Sequence, residues 1–377
     1  MTTTEHLVSV LEAAGVLPGP WREAFLAVPR HAFLPAQIWV DDAEGEPQPV
    51  NRGTHPDQWL EAVYSNVAIV TQFDDGATLW PAAGRHRTSS ASEPAMVATM
   101  LDRLDVGEGH HVLEIGTGTG YNAALLAHRV GAARVTTVEI DPVIAGAAKA
   151  ALDATGYPVT TVIADGAAGC PAQAPYDRVI ATVAACLGAV PHEWVRQIRP
   201  GGVLVAPMRT DYVGSGPLVQ FTVEDDGIAT GRPVAAVGFM PLRQHRSRYA
   251  DLSGMGFDDR DATSEVSQTT TPPWLVASTI DVRWAISTRI APCRWGHRPP
   301  TAACPQHHLW FADNATESWA VARYDRSGGP YQIRQHGPRH LWNEIETAYR
   351  WWCERGEPPL SQWSLTISSD QQTASLA

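Results

Sequence analysis

A short apolar run that leads directly into a glycine-rich turn is the strongest constraint on the fold of this chain. Residues 112–115 (VLEI) predict a β-strand, and Gly116, Gly118 and Gly120 follow with single residues between them. A helical pattern then covers residues 122–129. Glycines let the backbone approach a ligand closely, and the free N–H groups at the start of the helix can bind it. A strand, a glycine-rich turn and a helix in this order are typical of nucleotide-binding α/β sheets.

Strand and helix patterns keep alternating after this turn. Further β-rich runs occur at 135–140, 159–163, 178–182 and 203–206, and a helical pattern covers 142–154. The alternation predicts βαβ units and therefore an α/β fold with a mostly parallel, Rossmann-like sheet. The runs 218–224 and 234–240 flank a turn at Asp225-Asp226-Gly227, which predicts an antiparallel hairpin at the edge of that sheet.

Composition divides the rest of the chain into regions. Residues 1–87 predict an N-terminal helical and lid region that carries an insertion at about 37–80, with an exposed loop at 41–47. Residues 88–250 are the predicted cofactor-binding domain. Residues 251–273 are rich in Asp, Ser, Thr and Gly and predict a linker. Residues 274–377 predict a C-terminal α+β extension.

Nine of the fourteen tryptophans lie in this C-terminal extension. Strand-like runs at 280–290, 308–312 and 319–324 precede a predicted helix at about 339–354, in which Leu341, Ile345, Ala348 and Trp352 share one face, and a final strand covers 363–367. The tryptophans can either grip a peptide substrate or form the core of a small docked domain. The usual burial of tryptophan favours the core.

Charge and cysteine usage exclude some functions and suggest a compartment. The net charge is -12 and only 18% of residues are charged, which argues against a nucleic-acid binder. No apolar run reaches the length of a membrane span, and no secretory pattern opens the sequence. The five cysteines have no disulfide-scaffold spacing, so a cytoplasmic, reduced protein is expected.

The acidic residues around the glycine turn define the ligand. A dinucleotide site would show G-x-G-x-x-G, whereas here the third glycine comes one residue early. Glu114 suits a cationic amino-acid group, Glu139 can accept from two ribose hydroxyls, and the strand end at Asp165-Gly166 can reach an adenine amino group. The alternative is that the turn binds no ligand and that the three acidic side chains are simply solvated. All three acids lie at the carboxyl ends of successive strands, which favours a single ligand-binding crevice.

The predicted cofactor is therefore S-adenosyl-L-methionine, with S-adenosyl-L-homocysteine as the product. The residues expected to bind it are Glu114, Gly116, Thr117, Gly118, Gly120, Tyr121, Glu139, Ile140, Asp165 and Gly166. The fold expected from this cofactor is that of a class I methyltransferase.

Several further motifs carry a family resemblance. They are residues 28–35 (VPRHAFLP), 62–66 (AVYSN), 92–94 (SEP), 199–202 (RPGG) and 239–242 (FMPL). Together with the cofactor motif, they make the chain resemble the protein-L-isoaspartate O-methyltransferase family over about residues 5–245. The resemblance implies a carboxyl O-methyltransferase that acts on an aspartyl or isoaspartyl side chain.

The resemblance also implies the substrate-side residues. Ser92 is expected to hold an oxygen of the substrate carboxylate and is the predicted catalytic residue; the alternative is that it caps the helix that begins at Pro94. Ser90, Tyr64, Asn66 and Thr182 are the predicted substrate-binding residues. The nucleophile is a carboxylate that is already ionised at neutral pH, so no general base is required.

The departures from the family pattern suggest a more specialised substrate. Residues 87–92 (RTSSAS) replace the family's G-Q-T-I-S, residues 181–185 (ATVAA) replace its G-A-A, and the insertion and the tail beyond 250 are additional. These features resemble a divergent actinobacterial branch that methylates an aspartate of a cyclised, ribosomally made peptide such as a graspetide or lanthipeptide. The ester then collapses to an aspartimide. The alternative is the repair of damaged proteins.

The sequence also bears on two other functions. A nucleic-acid methyltransferase would carry an Asn/Asp-Pro-Pro-aromatic motif where this chain has residues 182–185, and Thr271-Pro272-Pro273-Trp274 comes too late. Cys293, His297, Cys304 and His307 could form a zinc site. Their spacing matches no common zinc class, so a Pro-rich loop is preferred and no metal is predicted. The expected partner is a peptide or protein, with no nucleic acid or membrane, and a monomer and a dimer both remain open.

Overall fold

The computed structural model describes residues 4–246, 264–301 and 305–377. Its N-terminal part holds four helices and a four-stranded antiparallel sheet of order β2-β1-β3-β4. The elements are α1 (Thr4–Ala13), α2 (Arg22–Ala27), β1 (Gln37–Asp41), β2 (Pro47–Asn51), α3 (Pro56–Val63), β3 (Ile69–Phe73), β4 (Arg87–Ala91) and α4 (Pro94–Leu104).

The insertion at about 37–80 thus contributes β1, β2, β3 and the helix α3. Only the turn between β1 and β2 forms the exposed loop that the sequence predicts, and Asp42 closes it by accepting hydrogen bonds from the N–H groups of Glu44 and Glu46. The rings of Trp39 and Phe73 pack edge to face at 5.1 Å and hold the sheet together.

The middle of the chain forms the predicted Rossmann-like core. Its elements are β5 (Val112–Ile115), α5 (Tyr121–Val130), β6 (Val135–Glu139), α6 (Pro142–Ala154), β7 (Thr160–Ile163), β8 (Tyr176–Ala181), β9 (Ala185–Cys186), α7 (His192–Arg196), β10 (Ile198–Arg209), β11 (Gly216–Val223) and β12 (Ala229–Val237). The strands β7, β6, β5, β8 and β10 run parallel in that spatial order. The predicted Rossmann-like α/β fold with a mostly parallel sheet is confirmed.

The C-terminal extension contains a second antiparallel sheet. Its elements are β13 (Glu265–Thr269), α8 (Ile280–Ser287), β14 (Arg294–Arg298), β15 (His307–Asp313), β16 (Ser318–Tyr324), β17 (Tyr331–His336), α9 (Leu341–Glu354), β18 (Trp363–Ile367) and β19 (Gln372–Leu376). The order of its five-stranded sheet is β13-β17-β16-β15-β14. Two sequence predictions are wrong here, since β13 lies inside the predicted linker and residues 280–287 are helical.

The physical reasons for these two differences are local. Strand β13 pairs antiparallel with β17 from Glu265 to Thr269, and this long-range partner orders a polar segment that looked like a linker. Helix α8 contains the β-branched residues that suggested a strand, but Thr279 caps it by accepting from the N–H of Val282. The predicted helix at about 339–354 and the final strand are confirmed as α9 and β18.

The last two strands of the tail join the central sheet. Strand β18 pairs with β12 through residues 229–231, so the sheet runs β19-β18-β12-β11-β10-β8-β5-β6-β7. The hairpin of β11 and β12 was predicted at the sheet edge and instead lies inside it. Among the tryptophans, Trp194, Trp284, Trp342 and Trp363 belong to one buried core that spans both regions. Burial in a core is the role the structure gives to these four indole rings.

Candidate active site

A cavity of about 430 Å3 opens at the carboxyl ends of β5, β6, β7 and β8. Its walls are the glycine turn after β5, the strand ends of β6 and β7, the segment from β4 to α4, the end of β12, and the strap of residues 238–246 that follows β12. A crevice at the carboxyl ends of parallel strands is where open α/β sheets bind ligands.

The first two glycines of the turn shape this cavity. Gly116 and Gly118 adopt φ values of +94° and +53°, which disfavour any residue with a Cβ. A Cβ on Gly116 would lie 2.6 Å from Oγ1 of Thr182, and one on Gly118 would lie 3.4 Å from the carbonyl oxygen of Ser90. The turn therefore lies against both the segment after β8 and the end of β4.

The third glycine has a different role from the one predicted. Gly120 is absent from the cavity wall and precedes α5 with a φ of +88°. A Cβ there would approach Ala148 and Leu152 of α6 at 3.3 and 3.4 Å. Gly120 is therefore required for the close packing of α5 on α6 rather than for contact with a ligand.

The predicted acidic residues do line one cavity. Glu139 accepts hydrogen bonds from the N–H groups of Gly118, Ile140 and Asp141 at 3.0, 3.0 and 3.1 Å. Asp165 is exposed at the end of β7 and accepts from the N–H of Ala167. Thr117, Tyr121, Ile140 and Gly166 also contribute to the wall. Of the ten residues expected to bind the cofactor, only Gly120 lies elsewhere.

Glu114 is the most deeply placed acid of this group. Its carboxylate accepts from Oγ1 of Thr137 at 2.6 Å and from Nδ2 of Asn122 at 2.7 Å, and no part of the side chain is exposed. Burial raises the pKa of Glu114 to about 7, and the nearby charge of Glu139 adds to the rise. A bound cation would lower that pKa again and favour the ionised carboxylate.

Asp141 is a wall residue that the sequence reasoning did not single out. Its carboxylate caps α6 by accepting from the N–H groups of Val143 and Ile144, and it also accepts from Nε2 of Gln72 at 3.1 Å. The Asp-Pro pair at the end of a strand was the signal that could have indicated a capped helix beside the site.

On the substrate side, Ser90, Ser92 and Thr182 line the cavity. Within the described chain, Oγ of Ser92 has no protein hydrogen-bond partner and is free to bind a ligand. Helix α4 receives its cap from Asn66 instead, whose Oδ1 accepts from the N–H of Ala95 at 2.8 Å. The alternative role of Ser92 as a helix cap is therefore not what the structure shows.

Two of the predicted substrate contacts lie outside the cavity wall. Asn66 caps α4 and donates to Oε1 of Glu93 at 2.8 Å, so both of its polar atoms serve the fold. Tyr64 is only 3% exposed, and its hydroxyl pairs with Nδ1 of His31. Both residues look like binding groups in the sequence because they lie in a family motif, but they support the loop behind the wall.

The described residues do not bring the candidate zinc ligands together. Nε2 of His297 lies 2.9 Å from Nδ1 of His307, but Cys293 is four residues away along an extended segment, a distance of about 13 Å. Cys304 lies outside the described residues. Within the described ranges, no cluster of three or more His, Cys, Asp or Glu side chains could hold a metal ion.

The cavity fits S-adenosyl-L-methionine because of the hydrogen-bond acceptors in its wall. Carboxylates at three strand ends provide acceptors for a ribose, an adenine amino group and an ammonium group, and the glycine turn leaves room where side chains would block entry.

None of the helices in the described part of the chain is both long and apolar enough to span a bilayer.

Comparison with known proteins agrees with this site. The family model described as protein-L-isoaspartate(D-aspartate) O-methyltransferase matches residues 48–247. The protein-L-isoaspartate O-methyltransferase of Methanopyrus kandleri is 33% identical over 242 residues, which cover 63% of this chain and 90% of that protein. The enzyme of the same name from Thermococcus onnurineus is 34% identical over 244 residues, 63% of this chain and 91% of its own length.

A solved structure of a protein-L-isoaspartate O-methyltransferase shares the fold. It aligns with a TM-score of 0.55 and 23% identity over 99% of both chains. This alignment includes the C-terminal extension. The family model covers more than half of the chain, and the two archaeal relatives are matched over most of their length. The chain therefore belongs to the protein-L-isoaspartate O-methyltransferase family and is an S-adenosyl-L-methionine-dependent carboxyl O-methyltransferase.

Proposed function

We propose that this enzyme methylates the free carboxylate of an isoaspartyl residue in a protein or peptide. The observation that carries the proposal is the position of Ser92, whose hydroxyl lies in the wall of the cofactor cavity and has no hydrogen-bond partner among the described residues. Ser90, two residues earlier on β4, lies against the glycine turn. A carboxylate at this wall would meet hydroxyl donors close to the cofactor.

The residues present can perform this reaction without a general base. S-adenosyl-L-methionine, when bound, supplies an electrophilic methyl group. The substrate carboxylate is ionised at neutral pH, and the hydroxyl of Ser92 donates to one of its oxygens and leaves the other as the nucleophile. Phe239 and Met240 of the strap and Met96 of α4 line the cavity and exclude water from it. The products are a carboxyl methyl ester and S-adenosyl-L-homocysteine.

The methyl ester prepares the next, non-enzymatic step. The following backbone nitrogen attacks the ester carbonyl, the C–O bond breaks, and methanol leaves as the ring closes to a succinimide. Hydrolysis of this ring returns part of the isoaspartate to aspartate, which is repair. If the ring persists, the same methylation yields an aspartimide product.

The test compares two synthetic peptides that differ only in one residue. The wild-type enzyme is incubated with labelled cofactor and either an isoaspartyl peptide or its ordinary aspartyl counterpart. We expect a base-labile methyl ester on the isoaspartyl peptide alone. Equal labelling of both peptides, or of neither, would contradict the proposed substrate.

A dedicated peptide substrate is the second candidate, and one observation favours it. Asp75 of the insertion accepts from Nη2 of Arg243 at 3.0 Å and from Nη1 of Arg246 at 2.6 Å. These pairs join the insertion to the strap, and both arginines line the cavity. A cavity wall that an additional segment braces suits one shaped ligand, such as a cyclised precursor peptide, better than many damaged proteins.

The two candidates differ in a competition assay. The enzyme receives the generic isoaspartyl peptide and the cyclised precursor peptide encoded beside its gene, at equal concentration. Higher kcat/KM on the cyclised peptide, with an aspartimide as the final product, would support the dedicated role. Turnover of the generic peptide alone would exclude that role and leave repair.

We also place the reaction in the cytoplasm. Cys170, Cys186, Cys293 and Cys353 are free thiols in the described chain, which fits a reducing compartment. Fractionation of cells that express a tagged copy would test this placement, and recovery of the enzyme outside the cytoplasmic fraction would contradict it.

A further inference from the structure

Arg30 begins a short 3-10 turn between α2 and β1 and holds two chain segments behind the substrate wall. Its guanidinium donates to the carbonyl oxygens of Val63, Ser65 and Val67 at 2.8, 3.3 and 3.1 Å. It also donates to the carbonyl oxygen of Ser92 at 3.0 Å. One rigid group thus joins the loop after α3 to the residue whose hydroxyl faces the substrate.

The side chain is buried in an unusual way for an arginine. It has no exposed surface, and Nε has no hydrogen-bond partner within the described chain. No carboxylate of the described residues lies within ion-pair distance of it, and Glu93 is the anion whose charge acts on it. Burial lowers the pKa of Arg30 to about 10, which still leaves the guanidinium charged at neutral pH.

A buried cation without a close anion costs several kcal/mol of folding free energy. A core position that only needed volume could use an apolar side chain at lower cost. The four carbonyl contacts give the reason for an arginine, because only its planar fork can reach acceptors from two separate segments at once.

The loop that Arg30 holds also sets the start of α4. Asn66 lies between two of the carbonyl acceptors and caps α4 through the N–H of Ala95. Ser92 lies between the end of β4 and the start of α4. The backbone of Ser92 is therefore fixed from both sides. Arg30 binds the carbonyl oxygen of Ser92, and Asn66 caps the helix α4 that follows it.

We propose that Arg30 is a positioning residue for catalysis, which fixes Ser92 so that its hydroxyl points at the substrate carboxylate. This inference rests on the proposed function. Arg30 is absent from the cavity wall, so it acts through Ser92 and touches neither substrate nor cofactor. Its positive charge also lies behind the place where the anionic carboxylate would bind.

The test uses two substitutions. Arg30→Lys keeps a positive charge but loses the planar guanidinium group, and Arg30→Gln keeps N–H donors but loses the charge. Arg178→Lys is the matched control, since Arg178 also donates to a backbone carbonyl, that of Asp105, and lies away from the cavity. We expect kcat on the isoaspartyl peptide to fall about 100-fold in Arg30→Lys. The Kd for S-adenosyl-L-homocysteine should stay within about twofold, because the cofactor walls are untouched.

A double-mutant cycle separates positioning from general stability. If Arg30 acts through Ser92, adding Arg30→Lys to Ser92→Ala should cause little further loss of kcat. Independent losses that multiply would overturn the proposal. Unchanged kcat, or a cofactor affinity that falls in parallel with kcat, would overturn it as well.

A measurement without substrate keeps this inference separate from the proposed function. Hydrogen exchange in the presence of S-adenosyl-L-homocysteine should rise in Arg30→Lys at residues 62–69 and 88–97, but not at residues 112–130. If the wild-type enzyme does not methylate the isoaspartyl peptide, the proposed substrate is wrong and this exchange pattern still decides whether Arg30 holds the wall. Equal exchange in wild type and variant would refute the role.

If neither Arg30 variant folds, Asn66→Ala tests the same junction between the loop after α3 and the start of α4, because Asn66 is less buried than Arg30. The loss of the α4 cap should raise exchange at residues 88–97 and lower kcat while S-adenosyl-L-homocysteine still binds. Unchanged kcat and exchange in Asn66→Ala would then overturn the proposal.

Discussion

The carboxylate of Glu139 accepts a hydrogen bond from the backbone N–H of Gly118 at 3.0 Å. This contact joins the end of β6 to the glycine turn after β5, so two separate sequence motifs form one rim of the cavity. It also holds the carboxylate in place before any ligand binds. A fixed acceptor at the rim loses little entropy when a ribose hydroxyl takes up the remaining lone pair on Oε2.

Glu139→Gln should therefore weaken cofactor binding. The substitution keeps the size of the side chain but removes charge-assisted hydrogen bonds, each worth about 1.5–3 kcal/mol. We expect the Kd for S-adenosyl-L-homocysteine to rise about 10- to 100-fold by titration calorimetry. The exposed Glu108→Gln is the control and should leave the Kd unchanged. An unaltered Kd in Glu139→Gln would mean that the carboxylate does not bind the ribose.

Ser92→Ala should lower turnover without lowering stability. Its Oγ has no protein partner within the described chain, so the loss removes only a contact to substrate. A hydrogen bond to a charged group is worth about 1.5–3 kcal/mol, which corresponds to a fall of about 10- to 100-fold in kcat/KM. The thermal midpoint should stay close to that of wild type. Full activity in Ser92→Ala would exclude this serine from catalysis, and Ser278→Ala on a distant turn serves as the control.

Cofactor binding should depend on pH through Glu114. Burial raises the pKa of this carboxyl from 4.5 to about 7, and the ammonium group of the ligand prefers its ionised form. The affinity for S-adenosyl-L-homocysteine should therefore increase as the pH rises toward about 7 and level off above it. Glu114→Gln should flatten this dependence. The same slope in wild type and variant would assign the titration to another group.

The stability of the ligand-free protein should show the opposite trend. Between pH 4.5 and about 7, native Glu114 retains a proton that the unfolded chain has lost. The contribution of Glu114 to the free energy of unfolding therefore falls as the pH rises through this window. Subtracting the profile of Glu114→Gln isolates that contribution. A difference that grows with pH would contradict the raised pKa.

The sequence was sufficient where a residue's role depends on its immediate neighbours. Gly116, Glu139 and Asp165 each follow directly from a strand end, and the βαβ pattern places all strand ends at one edge of the sheet. Their convergence was therefore predictable. Ser92 was identified through a family motif, and the structure places it in the same wall.

The sequence was insufficient where a role depends on a distant partner. Asn66 has the same local context whether it binds a substrate or caps α4, and only the position of Ala95 distinguishes the two. Strand β18 joins β12 more than a hundred residues earlier in the chain, and such pairing leaves no local pattern. Arg30 was visible as part of a motif, but its four carbonyl partners were not.

Gly120→Ala should reduce stability more than a comparable glycine substitution. Gly120 adopts the left-handed helical conformation (φ +88°, ψ −2°), and Gly156, just after the end of α6, has a φ of +82°, so an alanine at either site adds about 1–2 kcal/mol of backbone strain. Only at Gly120 does the new Cβ also press on Ala148, since nothing lies within 4 Å at Gly156. Urea unfolding should show a larger loss for Gly120→Ala. Equal losses would mean that the α5–α6 contact adjusts freely.

The tail should unfold together with the cofactor domain. Leu365 of β18 is buried in the core that both regions share, so Leu365→Ala should cost about 2–5 kcal/mol, whereas Ser364→Ala should change stability by less than about 0.5 kcal/mol. The cavity proposed for S-adenosyl-L-homocysteine is lined by residues between 68 and 246, yet this ligand should raise the unfolding midpoint reported by tryptophan fluorescence, which comes mostly from the tail. A shared core cannot lose one part while the other keeps its packing. A fluorescence transition that the ligand does not move would therefore show that residues 274–377 are an independent domain.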